Sequence, residues 1–197
     1  MGRVSPSSQI LRDGTPVTLR SAEGTDADAF LAFRRHTALT SPYVATLPEE
    51  LAEMTSADVA KSIAQYLERP TELLLLAVDP ARPALGLIGG LNLRSPGKIK
   101  LNHVVDLGMS IHEDYRGRGL GSCLMAAAVA WAQAHPDIHK ICLGVMPENA
   151  FAVRLYERFG FEVEGIQRRH LRQPKGVGGA GGEFLDHVMM ARWVKAR

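Results

Sequence analysis

Ten consecutive residues, Tyr115-Arg116-Gly117-Arg118-Gly119-Leu120-Gly121-Ser122-Cys123-Leu124, carry the chemistry most easily read from this chain. They form a glycine-rich turn between an apolar, strand-like segment at 107–111 and an amphipathic helix. The first turn of a helix has backbone N–H groups without intrahelical partners and a partial positive charge, so it favours anions. Glycines let a phosphate approach the backbone closely and accept positive φ without steric cost. The stretch therefore predicts a site for a phosphorylated cofactor, with Arg116 and Arg118 as a local basic pair.

The elements that must hold this turn follow from pattern and punctuation. A short strand is predicted at 17–20. A helix is predicted from the Thr25-Asp26-Ala27-Asp28 start to about Leu39, and a second over 56–68, stopped before Pro70. Between them, 40–50 contains Pro42 and Pro48 and reads as a loop. Strands are predicted at 73–78, 85–93 and 101–111. Gly86, Gly89 and Gly90 in the second of these indicate a bulge or a close backbone approach. The helix at 119–134 has Leu120, Leu124, Ala127 and Trp131 as its buried stripe. A strand at 139–145, a helix at 149–159 closed by Gly160, and strands at 161–170 and 183–194 complete the order, with a flexible glycine loop at 175–182. This is an α/β (α+β) chain of one domain, 15–197, behind a loose tail at 1–14.

Composition narrows the function classes. Net charge is +2, from 23 Lys and Arg against 21 Asp and Glu, too balanced to argue for nucleic acid. Cys123 and Cys142 are too few for a disulfide framework or a zinc site; they read as buried apolar residues in a reducing, cytoplasmic setting, and no metal is expected. No apolar run approaches the roughly 18 residues of a membrane helix. The polar start reads as a tail rather than a signal peptide.

Spacing discriminates among phosphate-binding turns. A P-loop needs a Gly-Lys-Ser/Thr ending, and this turn has no lysine. A dinucleotide fingerprint needs a third glycine where Ser122 stands, and it follows the first strand of its unit, whereas this turn follows several. A turn that merely reverses the chain leaves its two arginines unexplained.

Two motifs together resemble the GNAT-type N-acetyltransferases, including the subgroup with ribosomal-protein N-terminal acetyltransferases and small-molecule relatives. The family's Arg/Gln-x-x-Gly-x-Gly/Ala signature stands here as Arg116-Gly117-Arg118-Gly119-Leu120-Gly121. A second element runs from Asn149 through Ala152, Leu155 and Tyr156 to Gly160-Phe161. The resemblance implies a mixed, mostly antiparallel central sheet of six to seven strands flanked by about four helices. It also implies acetyl-coenzyme A as acyl donor and a primary amine as acceptor, either a protein N-terminus or a small metabolite, and it allows a homodimer. On this resemblance, amides from Arg116 to Ser122 cradle the pyrophosphate. Backbone groups of Met109, Ser110 and Ile111 bond the pantetheine arm and polarise the thioester, a contribution of about 10²–10³ in rate.

The resemblance places Tyr156 as general acid: a phenol of pKa ~10 can protonate a thiolate of pKa ~8.5. Packing alone is the competing role. Asn149 either meets the cofactor's amides or caps its helix, and the two roles are compatible. An α-amine of pKa ~7.7–8.0 needs little help to lose its proton, whereas a lysine amine at ~10.4 needs a base or an adapted pocket. Asp106 heads the candidates, with Glu113, Glu148 and His103 beside it and a water relay as the alternative. Alternation sets Asp106 on the face opposite Leu107 and Met109. His36 lies on the first helix near the expected acceptor groove. That groove is expected between the first helix, the loop at 40–50 and the loop at 175–182. The basic run Arg168-Arg169-His170-Leu171-Arg172 either favours an acidic acceptor or is a solvated strand edge. A non-catalytic acyl-coenzyme A sensor and a transferase for longer acyl groups are the rival readings.

Overall fold

The computed structural model describes residues 3–173 and 182–195. Eight strands form one sheet in the order β1-β2-β3-β4-β5-β6-β8-β7. They are β1 Ser7–Ile10, β2 Pro16–Ser21, β3 Leu73–Val78, β4 Leu87–Arg94, β5 Val104–Ile111, β6 Lys140–Val145, β7 Glu162–Arg172 and β8 Phe184–Trp193. Every neighbouring pair is antiparallel except β5 with β6. The helices are α1 Ala27–Thr40, α2 Ser56–Glu68, α3 Leu120–Ala134 and α4 Ala150–Arg158. This is the mixed, mostly antiparallel sheet expected.

The extra strand is β1, which corrects the loose tail. Ser7–Ile10 pairs with β2, and Leu11 behind it is buried. Gly14, at φ +84°, and Asp13, whose carboxylate accepts from the Thr15 amide at 3.1 Å, close the hairpin. Polar composition hid a strand whose side chains alternate between half-buried and exposed.

Strand β3 explains the layering. Its apolar run is buried on both faces, as expected for a central strand. Leu73, Leu75 and Ala77 pack with Leu120 and Leu124 of α3 and with Leu155 of α4. Leu74 and Leu76 pack with Leu31 and Phe33 of α1 and with Val59 and Ile63 of α2. The sheet therefore has an α3/α4 face and an α1/α2 face. Helix α2 begins with a reciprocal cap, the Asp58 amide donating to Thr55 Oγ1 at 3.2 Å and the Thr55 amide to Asp58 Oδ2 at 3.1 Å. The N-cap of α1 is Asp26 rather than Thr25. The Asp26 carboxylate accepts both guanidinium nitrogens of Arg20, at 2.6 and 2.7 Å.

Two details of α3 matter for the site. Leu120 and Leu124 are fully buried as expected, but Ala127 and Trp131 are only half-buried; the deepest line continues through Met125, Ala128 and Ala132. The stripe is thus turned by one residue, about 100° around the helix. The glycines of β4 serve both expected purposes. Pairing shifts register between Val78↔Leu87 and Ala77↔Gly89, which bulges Ile88, and a Cβ on Gly89 would stand 3.1 Å from Leu120 and 3.3 Å from Leu124. Cys123 and Cys142 are free and half-buried rather than fully buried, and burial raises both thiol pKa values. Among the described residues, no helix is long and apolar enough to cross a membrane.

Candidate functional site

Strands β5 and β6 pair only from Val104↔Lys140 to Asp106↔Cys142. Beyond that point β5 stays bonded to β4, with Leu91↔Met109, Gly90↔Ser110 and Gly89↔Ile111, while β6 stays bonded to β8. Alternation turns the backbone groups of Ser110, like those of His112, toward β4, so Met109 and Ile111 are the residues of this stretch whose backbone faces β6 without a strand partner, and the Ile111 carbonyl is taken by Arg116. The sheet splits here, and the split leads straight into the glycine turn.

Tyr115 fixes that turn. It is buried, and its hydroxyl donates to Asp79 Oδ2 at 2.6 Å. Burial, then Asp79, push its pKa up. The Arg116 amide turns back to the Glu113 carbonyl at 3.1 Å. Gly117 and Gly119 then adopt φ of +74° and +99°, which a side chain would strain. The next bonded amides are those of Ser122 and Cys123, both to the Gly119 carbonyl at 3.0 and 3.2 Å. The N–H groups of Gly117, Arg118, Gly119, Leu120 and Gly121 thus find no acceptor among the described residues. Five consecutive free donors stand at the start of a fifteen-residue helix, an arrangement that suits an anion. Gly121 has a different duty: a Cβ there would stand 3.1 Å from Leu155 and 3.2 Å from Ile111, so it lets α3 close on α4 and β5.

The two arginines are already occupied. Arg116 Nε donates to the Ile111 carbonyl at 3.1 Å. Arg118 pairs with Asp13 at 3.1 Å and lies 5.2 Å over the Tyr115 ring, while its carbonyl accepts the Arg12 amide at 2.9 Å. The β1–β2 hairpin thus braces the turn from outside.

Helix α4 brings the second motif to the same face. Asn149 caps it, Oδ1 accepting from the Ala152 amide at 3.2 Å, and its side-chain NH₂ has no acceptor among the described residues. Tyr156 is buried, 5.9 Å from the Phe161 ring, and burial drives its phenol up to about 12. It stays protonated at every working pH. It is a lasting hydrogen-bond donor, but complete proton transfer to a free thiolate is uphill by several pK units.

The base candidates separate clearly. Asp106 is the last paired residue before the split and lies on the α1/α2 face, opposite the buried Val105 and Leu107. Its carboxyl is accessible, yet desolvation by the neighbouring strands raises its pKa. Glu113 is poorly suited as a base. Desolvation works to raise its pKa, but hydrogen bonds from its own backbone, from His36 Nε2 at 2.8 Å and from Thr40 Oγ1 at 3.0 Å outweigh this and hold it at about 2. His103 lies before β5, where its carbonyl accepts from His139 and Lys140, at the end away from the glycine turn. Glu148 is exposed, and its carbonyl accepts the Tyr43 hydroxyl at 3.3 Å. His36 does reach the end of β5, where its ring stacks on His112 at 4.4 Å and 9°. His36, His112 and Glu113 present ligand atoms within 4.8 Å of one another. The parallel rings, however, prevent one ion from lying in both imidazole planes, so the cluster reads as a fastening between α1 and the turn.

In the loop at 40–50, where the acceptor groove was expected, residues 41–47 meet Met146, Leu171 and Leu185 around a small recess. Residues 174–181 lie outside the described residues, and with them the glycine loop apart from Gly182. The basic run sits on β7, where Arg168 pairs with Asp186 at 3.5 Å and Arg172 lies over Phe184. Asn92 and His187 were not anticipated. Asn92 Oδ1 lies 2.7 Å from where a Cβ on Gly108 would stand, and the His187 ring covers Gly144 so closely that a Cβ there would run into it. The signal for both was a lone glycine within a strand.

Comparison with known proteins agrees with this geometry. The chain is 27% identical to the L-amino acid N-acetyltransferase AaaT of Escherichia coli over 106 residues, 54% of this chain and 61% of that protein. It is 35% identical to the mycothiol acetyltransferase of Salinispora tropica over 153 residues, 77% of this chain and 46% of that one. The chain thus spans less than two thirds of the length of these curated relatives. A GNAT-family acetyltransferase from Streptococcus pneumoniae superposes with a TM-score of 0.79 at 26% identity, covering 91% of this chain and 99% of that one. The family model for the acetyltransferase (GNAT) family matches residues 36–161, more than half of the sequence, and the chain belongs to that family.

Proposed function

We propose that this chain is an N-acetyltransferase that binds acetyl-coenzyme A and moves the acetyl group directly to a primary amine, of a small metabolite or a protein N-terminus. The observation that carries the reading is the row of unpartnered amides from Gly117 to Gly121, set beside the split between β5 and β6. Acetyl-coenzyme A supplies an activated thioester. Within the expected stretch from Arg116 to Ser122, the free amides of Gly117 to Gly121 hold its pyrophosphate; the amides at both ends have backbone acceptors, and the Arg116 and Arg118 guanidinium groups are partly engaged. Of the expected backbone groups, Met109 to Ile111, those of Met109 and the Ile111 amide face the split and hold the pantetheine arm together with the Asn149 NH₂, while Ser110 faces β4 and the Ile111 carbonyl is held by Arg116. Tyr156 donates a hydrogen bond to the departing sulfur, and its neutral state up to about 12 keeps that donor in place. Asp106, on the other face of β5, attracts the acceptor ammonium and is the base candidate that the sequence offers.

Calorimetry with acetyl-coenzyme A, followed by thiol release with L-amino acids, spermidine and alanine-starting peptides, tests this. Binding followed by amine-stimulated thiol release is the expected result. Binding that no amine converts to thiol release would favour an acyl-coenzyme A sensor, and absence of binding would remove the assignment.

A further inference from the structure

The split between β5 and β6 is lined by an unusual pair of positions. Asp106 and Cys142 are the last paired residues. Two residues beyond each, on the same α1/α2 face, stand Gly108 and Gly144. Neither has positive φ, so backbone conformation does not require glycine at either place. Space does. Asn92, across the ladder from Gly108, lays its amide over that residue, and His187 of β8 lays its imidazole over Gly144. Two polar side chains thus lean over the two lips of the opening, on the face opposite α3 and α4.

His187 differs from an ordinary packed histidine. Its Nδ1 is buried and has no hydrogen-bond partner among the described residues, which is costly for a polar atom unless something else meets it. Its ring stacks at 5.5 Å and 3° on His170 of β7. Burial first, then the charge of His170, lower its pKa, and the Gly144 backbone only partly opposes them. These effects favour the neutral ring. Cys142 of β6 and Asp106 of β5 share its face of the sheet but stand level with Ala191, four positions along β8, and Arg168 and Asp186 of the β7–β8 hairpin pair with each other.

We propose that His187 is the group that takes the proton of the acceptor amine, and that Asn92 positions the amine opposite it. The inference rests on the acetyltransferase reading above and moves the base from Asp106 to the imidazole, leaving Asp106 to attract the ammonium. The ammonium gives one proton to His187, and its nitrogen lone pair bonds to the thioester carbonyl carbon. The carbon–sulfur bond breaks, and the second proton shed by nitrogen reaches sulfur by way of the Tyr156 hydroxyl. The His187 proton returns to water.

The test uses acetyl-coenzyme A and whichever of L-methionine, spermidine or an alanine-starting tetrapeptide gives the fastest thiol release. His187→Ala is expected to lower kcat by about 10²-fold, to leave coenzyme A affinity and melting temperature unchanged, and to remove the rising limb of the pH–rate profile. Added imidazole should restore part of the rate. Gly144→Ala, which displaces the ring while keeping it in the chain, should show a smaller loss of the same kind. A His187→Ala enzyme within about threefold of the parent kcat/KM, or one that loses coenzyme A affinity in parallel or ignores imidazole, overturns the assignment while the acetyltransferase reading stands. If no amine is acetylated by the parent protein, that reading falls and this inference falls with it.

Discussion

The two sides of strand β5 are built on different plans. On the proposed donor side, recognition would be made by main chain: five adjacent amides, two glycines at positive φ, and a helix start, all within residues 117–121. On the proposed acceptor side it would be made by side chains from distant places: Asn92 of β4, Asp106 of β5, His187 of β8 and the loop at 41–47. A receptor made of backbone needs only that glycines stand where side chains would intrude. It tolerates almost any sequence around them, and it reads the pyrophosphate common to every acyl-coenzyme A. A receptor made of side chains can be rebuilt one residue at a time, which suits the half of the reaction whose substrate varies.

The contrast predicts a descending series of effects. Gly119→Val forces a side chain into φ +99° and should weaken acetyl-coenzyme A binding by two orders of magnitude or more, about 3 kcal/mol, with the domain still folded by circular dichroism. An undiminished affinity would break the backbone half of the comparison. Tyr156→Phe should lower kcat by roughly 10–100-fold while coenzyme A affinity changes little; equal losses in both would make Tyr156 a packing residue. In the parent enzyme no falling limb from this phenol should appear below about pH 10, because its acid form persists to about 12. Asp13→Asn frees Arg118 and should change coenzyme A affinity by no more than about threefold, since the amides and not the guanidinium carry the anion.

The smallest effect concerns the fastening between the two sides. Glu113 falls from an ordinary 4.5 to about 2 on folding, so its contribution to stability is present above about 4.5 and is lost as pH falls toward 2. Glu113→Gln should therefore lower the melting temperature slightly at pH 7, and the gap to the parent should close between those two pH values. A gap that persists at pH 2 would mean that shape rather than charge ties α1 to the turn.

The same contrast explains how far the sequence could be read. Strand β3 and helix α2 were bounded correctly because an apolar run ending at Asp79-Pro80 and a helix stopped by Pro70 are local signals. The glycine turn and the Asn149 cap were legible because each is a contiguous motif. The N-terminal strand was not, since Ser7–Ile10 has little apolar content and exists only because β2 offers an edge. His187 and Asn92 were missed because each owes its position to a glycine in another strand, 43 and 16 residues away in the chain. The stripe on α3 was off by one residue because the choice between two adjacent apolar lines is made by the sheet beneath it.

The hairpin that grips Arg118 has a practical side. A polypeptide trimmed to start at residue 15 would retain every position matched by the family model, yet the Arg12 amide and the Asp13 carboxylate would be gone from the outer wall of the phosphate receptor. Fusion tags and shortened forms at that end are therefore not neutral handles: they act on the rigidity of the donor pocket from behind.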